Sequence, residues 1–247
     1  MSMKLSVCMA TFNGERFIAE QLASITAQLD DSDEVIISDD SSTDGTLSIV
    51  EGFRDPRIIV LPGNTFHNPI YNIENAIKRS AGDVIVLSDQ DDVWMENKLS
   101  VVRAWFSGEG PAIRTCVLDG CIIDETGRVL HDSLFDTLGS GRGVIKNLYR
   151  NTYMGACMAF SRPLLRVALP FPRGIPMHDS WLGLLSEIFG CVEFLPEKTI
   201  RYRRHQANRS FRRFTVRRQI AWRLLLAYHL ARRAAGNRAG LFGKTLP

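Results

Sequence analysis

The sequence lacks the features that mark several large protein classes. It contains no run of about 18 consecutive uncharged apolar residues, so no membrane-spanning helix is expected. The segment from Met1 to Met9 carries one lysine and no long apolar run, and we therefore expect no secretory signal. The five cysteines include no C-x-x-C pair and are odd in number, which argues against a disulfide framework or a zinc site. Buried thiols in a reducing cytoplasm are the favoured interpretation.

Acidic residues are absent from one end of the chain. Residues 198–247 contain 14 lysines and arginines and no aspartate or glutamate, although the whole chain has 30 basic and 27 acidic residues. The net charge of +3 therefore hides an acidic body with a basic tail. Such an asymmetry predicts a tail that meets an anionic surface. No nucleic-acid-reading motif accompanies the charges, so no nucleic-acid partner is expected.

Glycine is frequent but shows no dinucleotide-binding spacing. The cluster Gly139-Ser140-Gly141-Arg142-Gly143 lacks the G-x-G-x-x-G pattern and follows no clear strand. The segment Leu134–Gly143 that contains it is predicted to be a mobile loop. No internal repeat or low-complexity tract is visible, so 247 residues with 45% hydrophobic content predict one globular domain with a tail.

Apolar, strand-like runs alternate with helical patterns through the first hundred residues. This alternation predicts an α/β fold with a mostly parallel sheet sandwiched by helices. Asp44 and Asn68 are candidate helix N-caps, and Pro69 suits a first helical turn. Strands are predicted at Leu5–Met9, Glu34–Ser38, Ile58–Leu61 and Val84–Ser88, and helices at Glu15–Leu29, Asp44–Phe53 and Asn68–Ser80.

The second half of the sequence has a less regular pattern. A helix is predicted near Met95–Phe106, and Thr115–Ile123 with Arg128–Leu130 predicts a hairpin around the turn Asp124–Gly127. Asp179 then opens a predicted helix that continues to Phe189.

Three polar clusters follow predicted strands. They are Thr11-Phe12-Asn13-Gly14, Asp39-Asp40-Ser41-Ser42 and Asp89-Gln90-Asp91-Asp92. Ligands of open α/β sheets bind beyond the carboxyl ends of the strands. We therefore expect all three clusters to converge on one crevice.

The third cluster is rich in carboxylates, namely Asp89, Asp91 and Asp92. Closely packed carboxylates repel one another unless a cation neutralises them, so the cluster fits a hard divalent ion such as Mg²⁺ or Mn²⁺. Mg²⁺ commonly completes its shell with waters and substrate phosphates, and a diphosphate would meet that need. The alternative is a solvated acidic turn that caps the next helix.

The second cluster offers a way to select a base. A carboxylate of Asp39 or Asp40 can accept the ring N–H of a uracil or thymine, and Thr11 and Asn13 can add hydroxyl and amide contacts. The alternative for Asp39 and Asp40 is an Asx turn that leads into the Asp44 cap.

Taken together, these segments resemble the family 2 glycosyltransferases, which have a GT-A fold. The resemblance covers residues 4 to about 210, and its order and spacing are more specific than any single motif. Bacterial rhamnosyltransferase-like members that build cell-surface polysaccharides are the most similar. The matching segments are Leu5–Gly14, Ile36–Gly45, Val84–Trp94, Met177–Leu182 (Met-His-Asp-Ser-Trp-Leu) and Tyr202–Asn208 (Tyr-Arg-Arg-His-Gln-Ala-Asn).

The resemblance implies a metal-dependent, inverting transfer of a sugar from a nucleoside-diphosphate donor. It implies that Thr11 and Asp40 contact the nucleoside, and that Asp91 and Asp92, with Asp89, lie nearest the diphosphate and metal. Asp179 matches the carboxylate that activates the acceptor hydroxyl, a general-base role that contributes about 10²–10⁴-fold. The alternative for Asp179 is a helix N-cap. His205 either approaches the diphosphate or metal, or is a surface histidine in a basic loop.

Two departures from the family pattern affect what is expected of the acceptor and of how it is extended. Ser180 stands where a tryptophan is frequent, which alters the expected acceptor pocket. The Q-x-x-R-W element of processive synthases is absent, which argues against a processive polymerase. The expected acceptor is a saccharide or lipid-linked saccharide, and the expected donor is a UDP- or dTDP-sugar, with rhamnose as a candidate.

Two other functions remain open at the level of sequence. Asp89-Gln-Asp-Asp-Val93 loosely fits the nucleophile loop of haloacid-dehalogenase-type phosphatases, although that loop normally follows the first strand. A sugar-nucleotide- or lipid-binding protein with a degenerate site is the second alternative.

The boundary between domain and tail is placed at residue 210. Residues 1–210 are predicted to form the GT-A domain, and residues 211–247 a basic helical tail. Val216, Ile220, Leu224, Ala227 and Ala231 lie along one helical stripe, which fits a helix lying in a membrane interface. The alternatives are packing on the domain's own core or on a second copy of the chain. The expected location is cytoplasmic, on the inner face of the membrane.

Overall fold

The computed structural model describes residues 3–205 and 215–241, and the side chains of the last helix as far as residue 236. Within that part of the chain, no helix is both long and apolar enough to cross a bilayer.

The first half of the chain forms four parallel strands connected by helices. The strand order is β3-β2-β1-β4, and consecutive strands are joined by the helices α1 (Ile18–Thr26), α2 (Thr46–Gly52) and α3 (Pro69–Arg79). Strands β1, β2 and β4 are almost completely buried, as expected for strands covered on both faces. Their bounds are β1 (Leu5–Thr11), β2 (Glu34–Asp39), β3 (Ile58–Leu61) and β4 (Val84–Ser88).

Helix α3 shows how local sequence sets the element boundaries. The side chain of Asn68 accepts a hydrogen bond from the Ile70 amide, and Pro69 follows as the first helical residue. The predicted cap and first turn are thus confirmed. For α2 the cap position is Gly45 instead of Asp44, but Asp44 still accepts from the Thr46 amide through its side chain.

The second half of the chain extends the same sheet with mixed strand directions. The order continues from β4 as β8-β6-β9-β5, and β7 pairs with β6 in the predicted hairpin. The added pairs are antiparallel except for the long β6–β9 ladder, so the parallel arrangement is confined to the first half and to that ladder. The bounds are β5 (Val93–Trp94), β6 (Arg114–Ile123), β7 (Val129–His131), β8 (Met158–Ser161) and β9 (Cys191–Arg203).

Helices cover the extended sheet and end the chain. Single 3₁₀ turns at Gly155–Cys157 and Arg162–Leu164 flank β8. The α-helices are α4 (Lys98–Ser107), α5 (Leu134–Leu138), α6 (Val144–Tyr149), α7 (Leu165–Ala168), α8 (His178–Phe189) and α9 (Val216–Leu241).

One sequence expectation in this half was wrong, and one alternative interpretation is excluded. The segment Leu134–Gly143 is not a loop throughout, because its first five residues form α5. Ser133 caps that helix by accepting from the Asp136 amide, and Gly139 ends it in the left-handed conformation. Asp179 is not the N-cap of α8, since the cap position is Met177 and Asp179 lies in the first turn.

One continuous core includes residues from both halves of the sheet. Four of the five cysteines are buried and all five are free, in agreement with the expected thiols. Helix α9 packs Leu226 and Leu230 against this core. The predicted apolar stripe lies on another face, where Val216 and Leu224 are 70% and 67% exposed.

The β6–β9 ladder shifts register next to Gly120, where an added Cβ would lie 2.3 Å from the carbonyl oxygen of Ile200. We expect Gly120→Ala to lower the free energy of unfolding by about 1–3 kcal/mol, because a strand must move. Gly52→Ala is the matched control, since its added Cβ has no atom within 4 Å. The control should be neutral or slightly stabilising in urea unfolding. Equal stability of the two variants would contradict the close approach of β6 and β9.

Candidate active site

The loops that follow β1, β2 and β4 meet at one edge of the sheet. Gln90 joins the first loop to the third, because its side-chain amide exchanges two hydrogen bonds with the backbone of Phe12, at 2.9 and 3.1 Å. Gly14 leaves room for this side chain, since an added Cβ would lie 2.5 Å from Oε1 of Gln90 and would displace it. Because Thr11 of the first loop also contacts Asp39 of the second, the three polar clusters lie together at this edge of the sheet.

The residues expected to contact a nucleoside build the rim of this crevice. The Thr11 hydroxyl donates to Oδ1 of Asp39 at 3.0 Å, and the buried Asp39 also accepts from the amide and hydroxyl of Ser42. Oδ1 of Asn13 accepts from the Thr43 amide at 2.8 Å. Asp39 thus helps to hold the loop between β2 and α2 in place.

Asp40 fixes the neighbouring loop between β3 and α3. Its two carboxylate oxygens accept from the amides of Phe66 and Asn68, at 2.6 and 3.2 Å. Beside it, Ser41 has a φ of 61°, and Asn13 across the rim has a φ of 47°. Non-glycine residues in the left-handed region store about 1–3 kcal/mol of strain and cluster at functional sites.

Asp89, Asp91 and Asp92, which we call the acidic cluster, hold their ligand atoms within 4.8 Å of one another. Burial, together with repulsion from the Asp91 and Asp179 carboxylates, raises the pKa of Asp89 to about 7. Burial raises the pKa of Asp92 well above its ordinary value, with added repulsion from Asp91 and Asp89. Without a cation, Asp89 and Asp92 therefore take up protons at higher pH than an ordinary aspartate does.

Arg203, at the end of β9, connects the acidic cluster to the second half of the sheet by hydrogen bonds. Its amide donates to Oδ1 of Asp92 at 2.8 Å, and its buried guanidinium donates to the Asp91 carbonyl at 3.0 Å. The same guanidinium pairs with Glu20 of α1 at 2.6 Å. The β5–β9 pairing, which starts directly after the acidic cluster, places Arg203 at this point.

His205 lies on the open side of the acidic cluster. Its Nε2 atom is 2.7 Å from Oδ2 of Asp91, and its ring lies 5.0 Å from the Phe17 ring between centroids. His205 is therefore a member of the site rather than an isolated surface histidine.

Lys98 lies on the closed side of the acidic cluster. Its Nζ is fully buried, donates to the Ala156 carbonyl at 2.6 Å, and lies 4.4 Å from the centroid of the Trp94 ring. Burial lowers the pKa of Lys98 to about 8, and the charges of Asp92 and Asp89 oppose that effect. The lysine is thus an internal countercharge behind the carboxylates.

Asp179 faces the acidic cluster from the first turn of α8. Burial raises its pKa to about 6, while the amide of Ser180 and the side chain of Asn151 stabilise the charged form and lower it. Asn151 donates to Oδ1 at 3.1 Å. The carboxylate therefore changes its protonation state close to neutral pH, in electrostatic contact with Asp89.

The acidic cluster has the properties of a divalent-cation site. Oδ2 of Asp92 is buried and has no hydrogen-bond partner among the described residues, an arrangement that costs free energy unless a ligand completes it. Carboxylate oxygens are the ligands that Mg²⁺ and Mn²⁺ prefer. The residues present therefore fit such an ion.

Sequence reasoning assigned no role in the site to four residues that organise it, although two of them, Gln90 and Arg203, lie in segments singled out above. Arg203 and Gln90 act through backbone contacts across long sequence separations, which no local pattern reveals. The burial of Lys98 could have been predicted, because Lys98, Val102 and Phe106 follow one another at four-residue intervals and therefore lie on the same, core-facing side of α4. The fourth is Asn151, which lies in an irregular segment with no periodicity to interpret.

Comparisons with known proteins show similarity in sequence and in fold. Residues 6–169 match the family model described as “Glycosyl transferase family 2”. The dTDP-rhamnosyl transferase RfbG of Shigella flexneri is 46% identical over 98 residues, which cover 37% of this chain and 34% of that protein. WfgD of Escherichia coli, a UDP-Glc:alpha-D-GlcNAc-diphosphoundecaprenol beta-1,3-glucosyltransferase, is 31% identical over 97 residues, or 39% of this chain and 38% of that protein. The matched stretches span little more than a third of these curated relatives.

Solved structures share the fold. TarS 1–349 of S. aureus in complex with UDP-GlcNAc superposes with a TM-score of 0.74 at 21% identity, covering 92% of this chain and 66% of that chain. The mannosyltransferase PcManGT from Pyrobaculum calidifontis, in complex with GDP-Man and Mn²⁺, has a TM-score of 0.63 at 19% identity, covering 100% and 77%.

The raised pKa values give a pH-dependent stability. Because the folded pKa values of Asp89 and Asp179 exceed their ordinary values, the stability they contribute is complete at low pH and is lost as pH rises through about 6–7. We expect Mn²⁺ to raise the melting temperature more at about pH 8 than at about pH 5, since only charged carboxylates bind it. An equal increase at both values would contradict a carboxylate site.

The Asp92→Asn variant distinguishes two effects of this carboxylate on stability, its repulsion by the neighbouring carboxylates and its binding of a divalent ion. Without metal, the variant should have a melting temperature roughly 2–4 °C higher, which corresponds to about 1 kcal/mol in a domain of this size. The reason is that one of the crowded carboxylates is gone, while the new side-chain amide oxygen can still accept a hydrogen bond from the Arg203 amide. Added Mn²⁺ should no longer stabilise it. Asp31→Asn is the control, an exposed carboxylate in the loop before β2, at the opposite edge of the sheet. If both variants respond to Mn²⁺ like the parent, Asp92 does not bind the ion.

Proposed function

The chain belongs to glycosyl transferase family 2, and we propose that it is an inverting, metal-dependent member that moves a sugar from a UDP- or dTDP-linked donor to an acceptor hydroxyl. The family match confirms the resemblance seen in the sequence, and the fold is that of the GT-A glycosyltransferases. The phosphatase interpretation is set aside, because Asp89 follows the fourth strand and not the first. The observation that carries the proposal is the position of Asp179, whose charge acts on Asp89 of the acidic cluster and raises its pKa.

The rim formed by the first two polar clusters is the proposed nucleoside site. Thr11, Asn13, Asp39 and Asp40 follow β1 and β2, and Gln90 connects this rim to the acidic cluster. We assign the base contact to Asp40, since Asp39 is fully buried and accepts three hydrogen bonds, whereas Asp40 is 5% exposed and accepts two. Rhamnose is the preferred donor sugar because of the similarity to a dTDP-rhamnosyl transferase.

The acidic cluster is the proposed site of Mg²⁺ or Mn²⁺, with Asp89, Asp91 and Asp92 as ligands and His205 beside them. When bound, the ion would supply positive charge to the diphosphate leaving group, an effect worth several kcal/mol. His205 and Arg203 fix the orientation of Asp91 and Asp92 before any donor arrives. The Mn²⁺ in the PcManGT complex, a protein of the same fold, supports the assignment.

Asp179 is the proposed general base. Its pKa of about 6 leaves it mostly charged at neutral pH and still basic enough to accept a proton. Oδ1 is held by Asn151, so we assign proton acceptance from the acceptor hydroxyl to Oδ2. Attack from the face opposite the diphosphate would then invert the anomeric centre.

The proposed acceptor is a saccharide or lipid-linked saccharide used in cell-surface polysaccharide synthesis. The similarity to a glucosyltransferase whose name specifies a diphosphoundecaprenol-linked acceptor supports this class. We propose residues 1–210 as the catalytic domain and residues 211–247 as a basic tail that meets the membrane surface or a second copy. Residues 206–214 and 242–247 of this division lie outside the described part of the chain.

A panel of nucleotide sugars tests the activity. With Mn²⁺ present, we expect one of UDP-glucose, UDP-N-acetylglucosamine and dTDP-rhamnose to release UDP or dTDP, and to do so faster when N-acetylglucosaminyl-diphosphoundecaprenol is added. Chelation of the metal should abolish release. Donor binding without turnover in every combination would favour a binding protein instead.

Asp179→Asn tests the base. We expect donor affinity to stay unchanged while the transfer rate falls by about 10²–10⁴-fold, because the amide cannot accept the proton. In the parent, the transfer rate should rise with pH through about 6 as Asp179 loses its proton. Asp136→Asn is the control, an exposed carboxylate in the first turn of α5. Transfer at the parental rate in Asp179→Asn would remove this residue from the mechanism.

A further inference from the structure

A second concave site lies outside the crevice of the acidic cluster. A cavity of about 540 Å³ opens between the last helix, α9, and the segment that follows α7. Its walls come from both, so it exists only because α9 packs against the domain. We call it the basic pocket; its polar lining is formed by Arg166, Arg173, His229, Arg232 and Arg233.

The charge of the basic pocket is uncompensated. No aspartate or glutamate lines it, and none of its four arginines forms an ion pair within the described ranges 3–205 and 215–236. Like charges that share a cavity repel one another, and such an arrangement is stable only if solvent or an anion offsets the repulsion. The pocket therefore favours an anionic ligand.

Arg233 is held in place before any ligand binds. Its guanidinium donates to the backbone carbonyls of Leu169 and Pro170, and it lies 5.8 Å from the centroid of the buried Trp181 ring. Burial lowers the pKa of Arg233, and the neighbouring Arg232 lowers it further. A fixed guanidinium loses less conformational entropy on binding an anion than a mobile one does.

His229 contributes an unused hydrogen-bonding atom. Its Nε2 is buried, yet it has no hydrogen-bond partner among the described residues. Burying a polar ring atom without a partner costs free energy, and native proteins rarely leave one in this state without a reason. A ligand oxygen in the pocket would satisfy it, with the imidazole as the donor.

We propose that the basic pocket binds a phosphate group. Guanidinium groups match phosphate oxygens with paired hydrogen bonds, and several arginines with one imidazole can satisfy the oxygens of a phosphate ester or diphosphate. A carboxylate has only two oxygens, fewer than a phosphate group has, to accept hydrogen bonds from the arginines and the imidazole of the pocket. The phosphate belongs either to a lipid headgroup or to a soluble anion.

The remaining surface of α9 supports a lipid source. Val216, Ile220, Leu224 and Tyr228 are 70%, 48%, 67% and 56% exposed, and they lie at four-residue intervals on the face turned away from the core. This apolar stripe ends where the basic pocket begins along the helix. A helix lying in the membrane interface buries such a stripe while its arginines contact anionic headgroups.

The proposal does not depend on the proposed transferase activity. Helix α8 separates the two sites, since Asp179 in its first turn faces the acidic cluster and the Trp181 ring contacts Arg233 of the pocket. Binding can therefore be measured without donor, acceptor or divalent metal. In the presence of a chelator the acidic cluster repels phosphate, so binding at that cluster does not contribute.

The test compares two double variants that each remove two exposed arginines. Arg166→Ala/Arg232→Ala alters the basic pocket, and Arg79→Ala/Arg128→Ala removes the same charge from α3 and from the turn before β7. Calorimetry in chelating buffer measures binding of inorganic pyrophosphate. Sedimentation measures binding to vesicles of phosphatidylcholine with and without phosphatidylglycerol. Melting temperatures confirm that all variants fold, and His229→Leu provides a second pocket variant.

We expect the dissociation constant for pyrophosphate or for the anionic vesicles to rise about tenfold in both pocket variants and to stay near the parental value in the control. Binding of pyrophosphate identifies a site for soluble phosphates, and binding of anionic vesicles alone identifies a lipid phosphate. Absence of binding to both probes would overturn the proposal. So would an equal loss in the pocket and control variants, which would indicate nonspecific attraction by net charge.

Discussion

The repulsion among three carboxylates at the end of β4 is the constraint around which the site is built. Asp89, Asp91 and Asp92 would separate in water, yet the fold holds their oxygens within 4.8 Å of one another. Arg203 holds them from β9, and Lys98 supplies a buried positive charge behind them. The fold thereby keeps carboxyls crowded together whose charged forms are stable only when a cation offsets their repulsion.

This arrangement depends on the way the two halves of the sheet are joined. The parallel strands β1, β2 and β4 bring the polar loops to one edge, as parallel sheets generally do. The long β6–β9 ladder returns the chain from the far end of the protein, so that β9 delivers Arg203 and His205 beside the acidic cluster. The same sheet thus supports the polar loops and positions Arg203 and His205 beside the acidic cluster.

Much of the fold's first half and the acidic cluster could be predicted from the sequence, for physical reasons that differ between residues. The first four strands were predictable because their apolar runs are short and bounded by turn residues. The acidic cluster was predictable because three carboxylates within four residues repel one another unless a cation neutralises them. Arg203 was not, since its contacts with Asp91 and Asp92 span more than 100 residues of sequence. Helix α5 was missed because glycines close to Leu134–Leu138 suggested a loop, whereas Ser133 caps a short helix there.

The central claim is that a single divalent ion joins the acidic cluster to the donor's diphosphate, within reach of Asp179. Anomalous diffraction from crystals grown with Mn²⁺ and UDP tests it most directly. We predict one manganese peak in contact with carboxylate oxygens of the acidic cluster, with the UDP phosphates on its open side facing Asp179. A manganese peak bound elsewhere on the protein, or UDP phosphates that do not share the crevice with Asp179, would contradict the account.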